Sequence, residues 1–153
     1  EAPKLRVACP PNVELLGWQP HDVVQQHLGS ARAFLFAAQE DFGISPVEAQ
    51  ACGTPVIAYG VGGAVETVRD AGNHTEPTGL LFPEQSPASV QQAVEAFEAL
   101  SFDPEHCRRW AERFDATRFR RDYADIVQRA WSAWQKNPMS VESRLLQGAE
   151  PSH

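Results

Sequence analysis

Apolar and polar positions alternate along this chain with two different periods. Val13–Gly17 (VELLG) reads as a short strand that ends on a glycine. From Pro20 to about Ser30, the residues Val23, Val24, His27, Leu28 and Ala31 fall on one side at helical spacing, which predicts an amphipathic helix. Ala33–Ala37 (AFLFA) is continuously apolar, as expected of a strand covered on both faces. A loop follows, then a short helix from Pro46 to about Cys52, with Gly53 where helices often stop. Pro55–Tyr59 (PVIAY) is the next buried strand, Gly60–Gly63 a turn, Ala64–Arg69 a short helix and Gly79–Phe82 (GLLF) a further strand. Three helices complete the pattern. Ser86-Pro87 opens the first with an N-cap and an N1 proline, and Val90, Ala93, Val94, Phe97 and Leu100 form its stripe. Asp103-Pro104 opens the second in the same way, with Cys107, Trp110, Ala111 and Phe114 inward. The third runs from about Thr117 to Lys136, with Phe119, Tyr123, Ile126, Val127, Ala130, Trp131 and Trp134 on its stripe. Periodicity fades after Pro138, so the expected organisation is one domain over 1–136 and a loosely held tail over 137–153.

Short strands alternating with helices imply right-handed crossovers and a parallel sheet. The fold class is therefore α/β, a Rossmann-like sheet with flanking helices and a helical C-terminus. Such sheets bind ligands outside the carboxyl ends of their strands. The segment between AFLFA and the next helix lies at that edge.

Composition narrows the function. The chain has 153 residues, 42% hydrophobic and 22% charged, which is ordinary for a globular domain with a real core. A formal net charge of -7 argues against a nucleic-acid partner, because no basic stripe is left to neutralise phosphates. Arg108, Arg109, Arg113, Arg118, Arg120 and Arg121 do cluster, but acids are interleaved, as on a solvated helix face. Cys9, Cys52 and Cys107 lie far apart and are odd in number, which fits a reducing, cytoplasmic setting and shows no zinc framework. No apolar run approaches the roughly 20 residues of a membrane helix. The five histidines are scattered, without the partners of a nucleophilic triad. The chain opens on Glu1 and its only methionine is Met139, so it is expected to be a piece of something longer.

Two carboxylates in "EDFGISPVEAQACGTPVIAYG", residues 40–60, carry the candidate chemistry. Ser45-Pro46-Val47-Glu48 matches the capping box S-x-x-E, so Glu48 has a structural reason to exist: it can satisfy a backbone N–H. Glu40 follows a buried strand and has no such reason beyond being a solvated loop acid. Gly60-Val61-Gly62-Gly63 sits between a strand and a helix, but Val65 breaks the dinucleotide fingerprint G-x-G-x-x-G, leaving a tight turn. Trp18 follows VELLG and reads, from its position alone, as a partly buried side chain. Trp131 and Trp134 read as core or domain interface rather than a carbohydrate platform.

The segment resembles the E-x7-E signature of retaining glycosyltransferases of the GT-B fold, family 4 type. The likeness includes the Phe-Gly after the first acids, the Glu-Ala after the second glutamate and the exit Ala-Cys-Gly-Thr-Pro-Val-Ile-Ala. "PNVELLGWQP", "YGVGGAVETV" and "TGLLFPEQSPASVQQAV" extend it over most of the chain. The resemblance implies the C-terminal, donor-binding half of a two-domain enzyme. Glu40, in the catalytic position, would accept hydrogen bonds from donor-sugar hydroxyls. Backbone N–H groups at Asp41, Phe42, Gly43 and Ile44 would face sugar and phosphate, with Gly62 and Gly63 lining the donor site and Trp18 beside the base. Glu48 would hold the ribose. The implied reaction is retaining transfer of a sugar from a nucleoside diphosphate to an acceptor hydroxyl, with no cofactor and no metal.

The front of the chain departs from the family. The Gly-Arg step and the lysine that reach the diphosphate have no match, since Lys4 and Arg6 precede VELLG too closely. The first two strands of the donor domain and the acceptor domain are expected to be missing. The partners implied are a nucleotide-sugar donor and that N-terminal domain, and contact of the full enzyme with membrane lipid stays open. The isolated fragment is expected to bind donor weakly and transfer nothing. The competing class is a non-catalytic nucleotide-binding or interaction module on the same scaffold. A sugar-nucleotide epimerase would need further acid/base residues that this segment does not display.

Overall fold

The structure, a computed structural model, describes residues 9–137. Within the first compact unit, which ends at Ala111, the elements are α1 (His21–Ser30), β1 (Phe34–Phe36), α2 (Ile44–Ala51), β2 (Val56–Tyr59), α3 (Ala64–Thr67), β3 (Gly79–Phe82), α4 (Pro87–Glu98) and α5 (Pro104–Ala111). The three strands form one parallel sheet in the order β1-β2-β3. Phe34 pairs with Val56 and Val56 with Gly79, so all three strands end at a common carboxyl edge.

Strand alternation separates two cores. Val56 and Ala58 face one side, where they pack with Ala49, Ala64 and Val68, flanked by Leu28, Phe34, Phe36 and Leu81. Ile57 faces the other, with Phe82, Ala93 and Phe97, flanked by Tyr59, Val90 and Phe102. β2, buried between β1 and β3, is apolar throughout because both of its faces are covered. The α4 stripe predicts this packing in part: Ala93 and Phe97 are buried, whereas Val94 and Leu100 stay exposed. The expected caps form. The Ser86 hydroxyl accepts from Ser89 N–H at 3.2 Å, and Asp103 Oδ1 accepts from Glu105 N–H at 2.9 Å.

Two expectations for this unit are corrected. Val13–Gly17 is not a strand; it is irregular, and Val13, Leu15 and Leu16 are exposed. A strand exists by pairing, and no described strand takes it; Gly17, at φ +68°, also turns the backbone out of the extended region. The second helix begins at Ile44 rather than Pro46, with Gly43 as its N-cap. Gly43 has φ +82°, which glycine adopts at little cost and which lets the chain enter the helix two residues early. Pro46 then sits in the first turn, where a missing N–H is tolerated.

The second unit starts at Glu112 with one 3-10 turn, Glu112–Phe114, and continues as α6 (Ala116–Lys136). Asp115 caps α6, its Oδ1 accepting from the N–H groups of Thr117 and Arg118 at 2.6 and 2.9 Å. Phe114, expected inside the preceding helix, belongs to the 3-10 turn. No side chain of α6 is buried; Trp131 is 53% and Trp134 45% exposed, and their rings stack at 5.1 Å. Among the described residues no helix is long and apolar enough to cross a membrane. The expected tail lies, but for Asn137, outside the described residues.

Candidate functional site

Three loops meet at the carboxyl edge of the sheet: 37–43 after β1, 60–63 after β2 and 83–86 after β3. Hydrogen bonds tie them together. Gln85 Nε2 donates to the Ala37 carbonyl at 2.7 Å, Gly60 N–H to the Phe82 carbonyl at 2.9 Å, and Gly63 N–H to the Glu40 carbonyl at 2.7 Å. Contact at the last junction is backbone on backbone. A Cβ at Gly62 would strike the Glu40 carbonyl oxygen, and one at Gly63 would strike Phe42 Cα and the Asp41 oxygen. The glycine pair is therefore required by close approach to the 40–42 loop. The Gly63 N–H is itself committed to Glu40.

From that loop the chain passes Gly43 straight into α2. No side chain caps this helix. Ser45 and Glu48 form no capping box: Ser45 is the second residue of the helix, and Glu48 lies about one turn further along the same helix. The first-turn N–H groups thus carry the helix's positive dipole end uncapped by any side chain, next to Glu40, Asp41 and Phe42. Glu48 is released from its structural reason. Its side chain is exposed and lines a cavity of about 180 Å³ between α1 and α2, with His21, Val24, Gln25, Leu28, Ala51 and Cys52.

Seven of the nine expected site residues, Glu40–Ile44 with Gly62 and Gly63, are thereby brought together along one backbone junction. Glu48 stands one helical turn further on. Trp18 is neither partly buried nor joined to the others by a hydrogen bond or ring contact among the described residues; it is 86% exposed.

Sequence reasoning passed over the cavity's α1 side. His21, Val24 and Leu28 follow the i, i+3, i+7 spacing of one helix face; Val24 and Leu28 were read within the amphipathic stripe, but His21 was counted only among the scattered histidines. It also passed over Gln50. This side chain is fully buried in α2, and its Nε2 donates to the Pro46 carbonyl at 3.0 Å and to the Thr67 carbonyl at 2.9 Å. Its Oε1 is buried with no hydrogen-bond partner. Two such bonds contribute about 1 kcal/mol each, and one buried unpaired acceptor costs about 1–3 kcal/mol. The amide is therefore close to neutral for folding.

Comparison with known proteins follows the same lines. The family described as glycosyl transferases group 1 matches residues 6–115. The D-inositol 3-phosphate glycosyltransferase of Kineococcus radiotolerans is 37% identical over 121 residues, covering 73% of this chain and 25% of that protein. The enzyme of the same name from Streptomyces bingchenggensis is 36% identical over 104 residues, covering 63% of this chain and 21% of that protein. The chain thus spans between a fifth and a quarter of the length of these relatives. Among solved structures, sucrose-phosphate synthase from Thermosynechococcus elongatus, a GT-B glycosyltransferase, superposes with a TM-score of 0.65 at 27% identity, over 86% of this chain and 34% of that one.

Proposed function

The chain belongs to the group 1 glycosyl transferases, and from that membership we propose that it holds the nucleoside diphosphate sugar in a family 4-like, retaining transfer to an acceptor hydroxyl. The observation that carries this reading is the start of α2, where an uncapped helix N-terminus lies between two carboxylates that have no structural duty.

The ligand's charge pattern matches. A sugar nucleotide carries hydroxyls at both ends and a doubly negative diphosphate between them. The first-turn amides of α2 suit the diphosphate, because unpaired N–H groups and the helix dipole both favour an anion there. Glu40, beside them, accepts from sugar hydroxyls; Glu48, at the mouth of the α1–α2 cavity, accepts from the ribose, with the cavity beneath for the nucleoside. Gly62 and Gly63 contribute by pressing the 40–42 loop into place. Trp18, exposed on the segment before α1, is assigned to the base at that end.

The barrier lies in breaking the glycosidic bond to the diphosphate, and the electrostatic task is to stabilise the departing negative charge. Preoriented peptide amides need no reorganisation at that moment. Since the chain covers only part of its relatives, its share of the reaction is donor binding; alone it binds donor weakly and gives no turnover.

Titration with UDP, GDP and ADP and their sugar conjugates tests this reading. Glu48→Ala should weaken binding of every form of the accepted nucleotide by about 10–100-fold, the loss of charge-assisted bonds worth roughly 1.5–3 kcal/mol. Glu40→Ala should leave the free nucleotide unaffected and abolish the extra affinity of the sugar conjugate. Unchanged nucleotide affinity in Glu48→Ala overturns the assignment.

A further inference from the structure

Gln50 offers stability little, yet it sits at the only point among the described residues where a buried side-chain amide joins α2 to α3. Its two acceptors do not depend on it. The Pro46 carbonyl belongs to the ladder of α2, and the Thr67 carbonyl also accepts from Trp110 Nε1 at 2.9 Å. An apolar side chain of the same length would fill the space without burying an unpaired oxygen. What such a side chain would lose is direction.

The hydrogen bonds run in one continuous line. Pro46, in the first turn of α2, is bridged by Gln50 to Thr67 at the end of α3. The Thr67 hydroxyl and N–H both donate to the Gly63 carbonyl, at 2.9 and 3.0 Å. Gly63 N–H donates to the Glu40 carbonyl at 2.7 Å. The line thus begins at a carbonyl in the helix turn whose amides are assigned to the diphosphate and ends on the backbone of the acid assigned to the sugar.

The geometry points to Gln50 as a positioning residue: through Thr67 and Gly63 it sets Glu40 relative to the first turn of α2. The inference rests on the donor reading above for what is being positioned, and on the hydrogen-bond line alone for the positioning itself. Specificity of orientation, bought by a buried amide at no gain in stability, is a known use of polar groups in cores.

The test uses Gln50→Met, of nearly equal length, and Gln50→Leu, of similar volume, in the 153-residue chain. Both should fold with thermal midpoints within a few degrees of the parent; failure of both to fold would show that the amide is needed for stability and overturn the inference. In proton–nitrogen correlation spectra the amides of Glu40–Ser45 and Gly62–Ala64 should shift and broaden, although all but the helix turn itself are remote in sequence from position 50. Shifts confined to residues adjoining position 50 overturn the inference, whether or not any nucleotide binds. In binding, the preference for the nucleoside diphosphate sugar over the monophosphate should fall by about tenfold, less than the ~100-fold that a 1 Å misplacement can cost. If the parent chain binds no nucleotide, the donor reading fails, while the amide shifts still decide the role of Gln50.

Discussion

Cys52 and Cys107 show how differently one residue type behaves in two settings. Cys107 is fully buried on α5, and burial, reinforced by the nearby Asp103 carboxylate, pushes its thiol up to about 11. The neutral form is the one that the fold accommodates. Its contribution to stability is complete below the ordinary thiol value near 9 and is lost as pH rises through about 11. Cys52 is half-buried and lines the cavity beside Glu48. Site-resolved alkylation at pH 8 should therefore modify Cys52 and spare Cys107 in the folded chain. A bound nucleotide should slow Cys52 severalfold and leave Cys9 unchanged; equal rates at Cys52 with and without nucleotide would remove the nucleoside from this cavity. At the same scale, Glu48 was legible by residue type and spacing but ambiguous in role. Only the early helix start at Gly43 separates it from a capping duty.

Elements were read from the sequence wherever their boundaries are local. Ser86-Pro87 and Asp103-Pro104 mark helix starts because a cap and an N1 proline act within three residues, and both form as expected. Asp115 is the same kind of signal at α6. Hydrogen bonds from the Arg118 and Thr117 backbones hold its carboxyl below the usual range. A depressed folded value makes its contribution present above the unfolded value near 4 and lost as pH falls through the lower folded one. Helicity followed by circular dichroism should thus fall at the acid end, and Asp115→Asn should flatten that limb while keeping most helix at pH 7. An identical acid limb in Asp115→Asn would contradict this. Val13–Gly17 failed as a strand for the converse reason: strand formation is decided by a partner elsewhere, and a largely apolar pentapeptide carries no information about whether one is present.

For the whole molecule, the two cores that face the sheet draw on Leu28 to Phe102, while α6 contributes no buried side chain. A chain ending at Ala111 retains every residue of both cores and should therefore keep the α/β unit, with a cooperative unfolding transition near that of the parent. Loss of the transition would show that the second unit is needed for the first. The apolar stripe of α6 illustrates the limit of pattern reading. Its period identifies the helix, but the same period cannot tell a covered face from an open one.

Sequence alone determined the order of strands and helices from Pro20 onward, the parallel α/β class and the stretch of 40–48 as the place of interest. Those follow from side-chain periodicity and short-range caps, which act over a few residues. Tertiary structure decided the rest. It set Gly62 and Gly63 against the 40–42 backbone, opened the cavity beside Glu48 and buried Gln50 between two helices. Each of these depends on groups that sequence separates by many positions, and on whether a positive-φ glycine lets a helix begin early.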